Sequence, residues 1–199
     1  MAYAARMTTT PRSTPELLPF TGNEEADKLI ASDPIALLVG FALDQQVTVQ
    51  KAFSGPLEIR RRLGHLDPAR IAAMDPVELA GSFRERPAIH RFPAAMAERV
   101  QALCAFVVER YDGDASRVWT EAESGADLRR RLSELPGIGD MKVRSLLALL
   151  IKQYGVRPPG WETELPEHPT LGGVTTAEEL AEYQAQKRAH KAAMRKTTG

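Results

Sequence analysis

From about residue 23 to residue 155, apolar positions recur at the three-to-four-residue spacing of helices, and no stretch alternates as a strand would. The pattern predicts a helix over Glu24–Ala31 capped by Asn23, ended by Asp33-Pro34. Pro34 then opens Ile35–Leu43, apolar almost all round and therefore expected to be buried on most sides. Asp44-Gln45-Gln46 interrupts that run, and Val47–Phe53 resumes it. A separate amphipathic helix is expected over Leu57–Leu63. Asp67-Pro68 and Asp75-Pro76 each read as a cap followed by proline at the first helical position, opening helices to Ala73 and Phe83. Arg84–Pro93 reads as a loop. Ala94–Tyr111 is a long helix with Ala97, Val100, Leu103, Cys104 and Val107 on one face, ended by Asp112-Gly113. The predicted class is all-α.

The most informative stretch is Leu135-Pro136-Gly137-Ile138-Gly139-Asp140-Met141-Lys142. A helix precedes it, with Ser124 and Asp127 in capping-box spacing, and another follows it to about Tyr154-Gly155. Pro136 and Gly137 break the first helix, and the two glycines permit a tight turn. The second helix then begins with amides that lack partners and with the positive end of its dipole, a ready site for an anion such as a backbone phosphate.

This L-P-G-I-G-x-x-K run between helices resembles the hairpin of the helix-hairpin-helix DNA glycosylases, the endonuclease III and 3-methyladenine glycosylase superfamily. A second stretch, Leu37–Ala52 with Asp44-Gln45-Gln46 inside it, resembles that family's early helix and Gln-containing turn. Arg99–Tyr111 resembles the helix preceding the hairpin helices. The resemblance covers roughly residues 35 to 155 and implies a two-lobed helical glycosylase-like fold acting on double-stranded DNA as a monomer. It implies DNA contacts from Gln45, Gln46, Gly137, Ile138, Gly139 and Met141, with a monovalent cation often held at the hairpin. It also implies excision of a damaged or mispaired base after that base leaves the stack.

Two chemistries serve that reaction. A carboxylate can stabilise the growing positive charge on the sugar, or a lysine can attack the sugar and form a Schiff base. The family's lysine nucleophile has Lys142 as its candidate here, and its bland alternative is a lysine touching phosphate or water. The family's aspartate, carried over by the same spacing, falls on Gly160, so it is not in register. The nearest carboxylates are Glu162 and Glu164, with Asp44 as a further one close to the Gln turn. Glu162 is the first candidate, against the alternative of a solvated loop acid. An ordinary lysine pKa would leave Lys142 protonated, which predicts base excision without efficient strand cleavage. The missing aspartate keeps a second reading open, a glycosylase-like protein that binds DNA without cleaving.

Composition changes this picture little. The 199 residues carry 26 basic and 26 acidic side chains, so there is no basic excess to advertise nucleic-acid binding. The single cysteine, Cys104, excludes an intramolecular disulfide and a four-cysteine iron–sulfur cluster. The four histidines share no metal-ligand spacing, so no catalytic metal is expected. With no apolar run of spanning length and no hydrophobic signal core, a cytoplasmic protein that does not engage membrane is expected. Residues 1–19 read as a flexible lead-in and 156–175 as a Pro/Gly-rich loop. A final helix, 177 to about 196, is acidic at its start and basic at its end. The Arg60–Arg62 and Arg129–Arg131 runs read as solvated faces or phosphate contacts.

Overall fold

The structure is a computed structural model and describes residues 14–197, with side chains described to residue 189. It is all-helical, with no strand among the described residues. Ten α-helices follow in order: α1 (Glu24–Ser32), α2 (Pro34–Leu43), α3 (Val49–Leu63), α4 (Pro68–Ala73), α5 (Pro76–Arg84), α6 (Pro93–Tyr111), α7 (Arg117–Thr120), α8 (Gly125–Ser133), α9 (Asp140–Lys152) and α10 (Ala177–Thr197). Two short 3-10 turns, Trp161–Glu164 and Leu171–Gly173, lie between α9 and α10. None of the described helices is long and apolar enough to cross a membrane.

Most helix starts follow from local chemistry. The carboxylates of Asp33, Asp67 and Asp75 accept from amides in the first turns of α2, α4 and α5, and Asn23 does the same for α1. Proline at the first position of these three Asp-capped helices forfeits no hydrogen bond. At α8, Ser124 accepts from the Asp127 amide at 3.1 Å, while Asp127 reaches Glu123 N–H rather than closing the box on Ser124. Thr176 and Glu179 cap α10 reciprocally, the carboxylate accepting from Thr175 N–H at 2.7 Å.

The core is centred on α2, where every residue from Ile35 to Leu43 is buried. It packs against α1, α3 and α6, and α6 in turn carries α4 and α5 on its other flank. Phe53 of α3 sits edge-on to both Phe20 and Phe41, ring centroids 5.1 Å apart in each pair. Helices α8 and α9 pack on each other, and each carries one of the 3-10 turns.

Several expectations are corrected. Val47–Phe53 and Leu57–Leu63 form one helix, α3, that runs through Ser54-Gly55-Pro56. Proline there loses one backbone hydrogen bond, but Gly55, Pro56 and Leu57 are all buried, and that packing holds the helix together. The lead-in is not free at its end. Leu18 and Phe20 are fully buried, and Leu18 N–H donates to Asp27 O at 3.1 Å. Residues 1–13 lie outside the described residues. The 156–175 segment, read as a loop, contains two helical turns whose Leu171 and Val174 belong to the core. Gly172 lies so close to the α9 backbone at Ser145 and Leu149 that a Cβ would collide with it. Both arginine runs are largely consumed within the fold. Arg60 and Arg61 pair with Glu25, Arg130 and Arg131 pair with Asp127, and Arg62 donates to the carbonyls of Ser82, Glu85 and Pro87.

Candidate functional site: a cleft between the Gln45 turn and the α8–α9 turn

A cleft of about 660 Å³ is lined by Gln45, Arg99, Gly137, Ile138, Gly139, Asp140, Met141 and Lys142. Two segments almost a hundred residues apart in sequence therefore share one surface depression. Of the residues singled out from sequence, the structure brings together Gln45, Gly137, Ile138, Gly139, Met141 and Lys142. Gln46 is exposed beside them with a left-handed φ of 54°, and does not line the cleft. Glu162 is not brought there. It is exposed on the 3-10 turn that packs on α8, and lines neither this cleft nor the smaller one described below.

The α8–α9 turn is shaped by Gly137, whose φ of +82° lies in the left-handed region. A Cβ there would also come within 2.5 Å of Arg99 Cδ, so the arginine stem packs directly under the turn. Gly139 differs from expectation: its φ is −79° and the space around it is open, so neither strain nor crowding demands glycine. It stands at the N-cap of α9 with no side-chain cap. The amides of Lys142 and Val143 bond Gly139 O, while those of Asp140 and Met141 have no partner among the described residues. Both residues line the cleft at the positive end of the α9 dipole, and Met141 is 74% exposed.

Lys142 departs from the expectation of an ordinary lysine. Its ammonium donates to Ala42 O at 3.2 Å, at the C-terminal end of α2, and to Gly137 O at 3.0 Å inside the turn. It thereby ties the turn to the central helix. Burial pushes its pKa down to about 8; Asp44 opposes the shift and Arg99 adds to it. Asp140 is not its partner. That carboxylate pairs with Arg144 at 2.9 Å and Arg129 at 3.4 Å, and Arg129 also reaches Glu164.

The Gln45 side is held by two residues that the sequence pattern did not single out. Arg99 Nη1 donates to Gln45 Oε1. His90, almost fully buried, accepts Phe92 N–H on Nδ1 at 3.1 Å, so its proton sits on Nε2, which donates to Gln45 O at 3.0 Å. Burial holds the His90 pKa below its usual value. Phe92 itself is 40% exposed beside this array. The only hint in the sequence was a polar residue next to the apolar stripe of α6. Its partner lies 54 positions away and could not be read from spacing.

A second, smaller cleft of about 170 Å³ adjoins the first. Met141 and Lys142 line both, and Asp44, Ser145 and Tyr183 line only the smaller. Tyr183 belongs to α10, which is fastened here by reciprocal hydrogen bonds between Gln50 and Gln184. The carboxylate whose charge acts on Lys142 is Asp44, and Glu162 lines neither cleft. No group of histidine, cysteine and carboxylate side chains among the described residues could hold a metal ion. Compared with protein-family models, curated proteins and solved structures, the chain matches none.

Proposed function

We propose that the protein is a DNA glycosylase of base-excision repair, built on the helix-hairpin-helix plan, that binds duplex DNA at the α8–α9 turn and acts on a base displaced from the stack. The observation that carries this reading is the meeting of the Gln45 turn and the Gly137–Lys142 turn in one cleft around a half-buried amine. The two stretches with the family resemblance are those two walls. The unpartnered amides of Asp140 and Met141 suit a phosphate oxygen. Arg99 and Lys142 add positive charge, while the one lining carboxylate of the larger cleft, Asp140, is neutralised by Arg129 and Arg144.

With a pKa of about 8, an appreciable share of Lys142 is neutral near physiological pH, as attack on a sugar carbon requires. This removes the ordinary-lysine premise from which excision without strand cleavage was expected, and strand cleavage through Lys142 is the reading favoured here. Attack by neutral Nζ on C1′ would break the glycosidic C1′–N bond, the departing base taking up a proton. Loss of a proton from Nζ and opening of the C1′–O4′ bond, with a proton delivered to O4′, would then leave the Schiff base, with Asp44 on the adjoining wall as the group that carries these protons. A second reading, DNA binding without chemistry, draws on the two carbonyls that already hold Lys142 and on the absence of Glu162 from both clefts.

A panel of lesion-bearing duplexes, scored for released base and for borohydride-trapped protein, decides between them. Release together with a trapped adduct that disappears in Lys142→Arg supports the glycosylase. Salt-sensitive duplex binding with neither product supports the second reading, and no duplex binding at low salt refutes both.

A further inference from the structure

The last helix, α10, is lightly docked. Of its described side chains only Leu180 is buried, and Tyr183 and Gln184 are half-buried. Leu180, Tyr183, Gln184 and Lys187 follow the i, i+3, i+4, i+7 spacing of a single helical face. That face therefore turns from apolar to basic as the helix leaves the core. Lys187 fits this register: it is exposed, yet it lines the smaller cleft, with its ammonium 5.8 Å from the Tyr183 ring centroid. By position, Lys191 and Arg195 continue the same row along the helix, and Arg188 flanks it.

Nothing within α10 accounts for that row. The helix dipole favours basic residues only in the last turn, and Lys187 stands ten positions before Thr197. Lys187, Lys191 and Arg195 are like charges four residues apart, a spacing that destabilises a helix by itself. The acids Glu178 and Glu182 lie on the opposite side of the helix, and Glu179 is spent on capping. The other basic runs pair within the fold, whereas Lys187 and Arg188 form no ion pair among the described residues. A row of repelling cations becomes favourable when an extended polyanion lies along it.

We infer that the basic half of α10 is a second contact to duplex DNA, with Lys187, Arg188, Lys191 and Arg195 placed along the phosphate backbone beside the α8–α9 turn. The inference rests on the reading above for the identity of the polyanion. The row starts at that turn, because Lys187 shares the smaller cleft with Met141 and Lys142, which also line the larger one. From Lys187 to Arg195 the helix rises ~12 Å at 1.5 Å per residue. A duplex carries about seven phosphate charges over that length, one per ~1.7 Å, enough to engage all four cations. An anionic membrane surface fits less well, since such helices also carry bulky apolar side chains. The exposed apolar residues in the described part of α10 are all alanines, Ala177, Ala181, Ala185 and Ala189.

The full chain is titrated with a labelled paired duplex across a salt series. Changing Lys187, Arg188, Lys191 and Arg195 together to Gln keeps helix propensity and leaves Leu180 in place. It should flatten the plot of log affinity against log salt by about 3.6, at about 0.9 for each lost phosphate contact. The triple variant that retains Lys187 leaves the cleft untouched and should flatten it by about 2.7. Glu178→Gln with Glu182→Gln alters net charge on the opposite face and should leave the slope unchanged. A wild-type slope in the fourfold variant, with duplex binding intact, overturns the inference and leaves the DNA reading standing. A glutamate variant that steepens the slope as much per charge as the basic variants flatten it also overturns it, because net charge would then be the cause. Slope loss as expected, in a protein that releases no base from the lesion panel, supports the basic row and refutes the glycosylase reading. No duplex binding by wild type, with binding to phosphatidylserine vesicles that the fourfold variant loses, refutes both.

Discussion

The Lys142 amine gives the sharpest quantitative expectation. Its pKa falls from 10.5 to about 8 because the ammonium is withdrawn from water while the nearest carboxylate, Asp44, is not in contact with it. That difference of 2.5 units makes the neutral amine about 300-fold more abundant at pH 7 than in an exposed lysine. It also has a signature in stability. Below pH 8 the amine is charged in both folded and unfolded chains, and its full burial cost is present. Between pH 8 and 10.5 the folded protein has released the proton and the unfolded chain has not, so this contribution makes the fold more stable as pH rises. The shift corresponds to at most about 3 kcal/mol, and solvent screening of a partly exposed group reduces that to about 1–2 kcal/mol.

Cys104 and Tyr154 act oppositely in the same range, since burial raises both and their neutral forms are favoured in the fold. The comparison is therefore between wild type and Lys142→Met by denaturant titration from pH 7 to 10.5. The difference in unfolding free energy should move in favour of wild type by about 1–2 kcal/mol across the window. Reductive methylation with labelled formaldehyde, followed by carbon-detected titration, should place the Lys142 midpoint near 8, with the resonance assigned by its loss in Lys142→Arg. A midpoint at 10 or above, or a pH-independent difference between the two proteins, would refute the burial argument and with it the case for an amine nucleophile.

Three further outcomes are expected. Gly137→Ala should lose about 1–2 kcal/mol and disturb Arg99, because it combines a left-handed backbone with a displaced arginine stem, whereas Gly139→Ala should be nearly neutral in stability; any loss of duplex binding in Gly139→Ala then reports a ligand contact. Gly172→Ala should cost at least about 2 kcal/mol, since the added methyl meets backbone of α9 rather than a movable side chain, and a Tm equal to wild type would mean that the Leu171–Gly173 turn is not docked as described. The folded-state His90 pKa lies below 6.5, so its contribution is complete above that value and is lost as pH falls and the unfolded chain takes the proton first. Wild type should therefore lose Tm below pH 6.5 more steeply than His90→Gln, and parallel profiles would show that the ring titrates normally.

Helix positions were legible from local rules because their causes are local. Aspartate caps followed by proline mark where α2, α4 and α5 begin, and an unbroken apolar run marks α2 as the buried centre. The turn after Pro136 was legible for the same reason. Local rules failed where packing outweighed propensity, as at Pro56 inside α3 and in the Trp161–Glu164 and Leu171–Gly173 turns. The candidate chemistry depended even more on the tertiary structure. A lysine's type and position were plain, but its pKa depends on how much water neighbouring elements remove, and no spacing rule carries that information. The same holds for Arg99 beneath Gly137, His90 behind Gln45 and Asp44 under α10, each of which gains its role from residues brought close by folding. The order of helices and the glycine turn belong to the sequence alone. Which carboxylate stands by the amine was decided only when α2, α9 and α10 closed around it, because burial and proximity are properties of the packed chain.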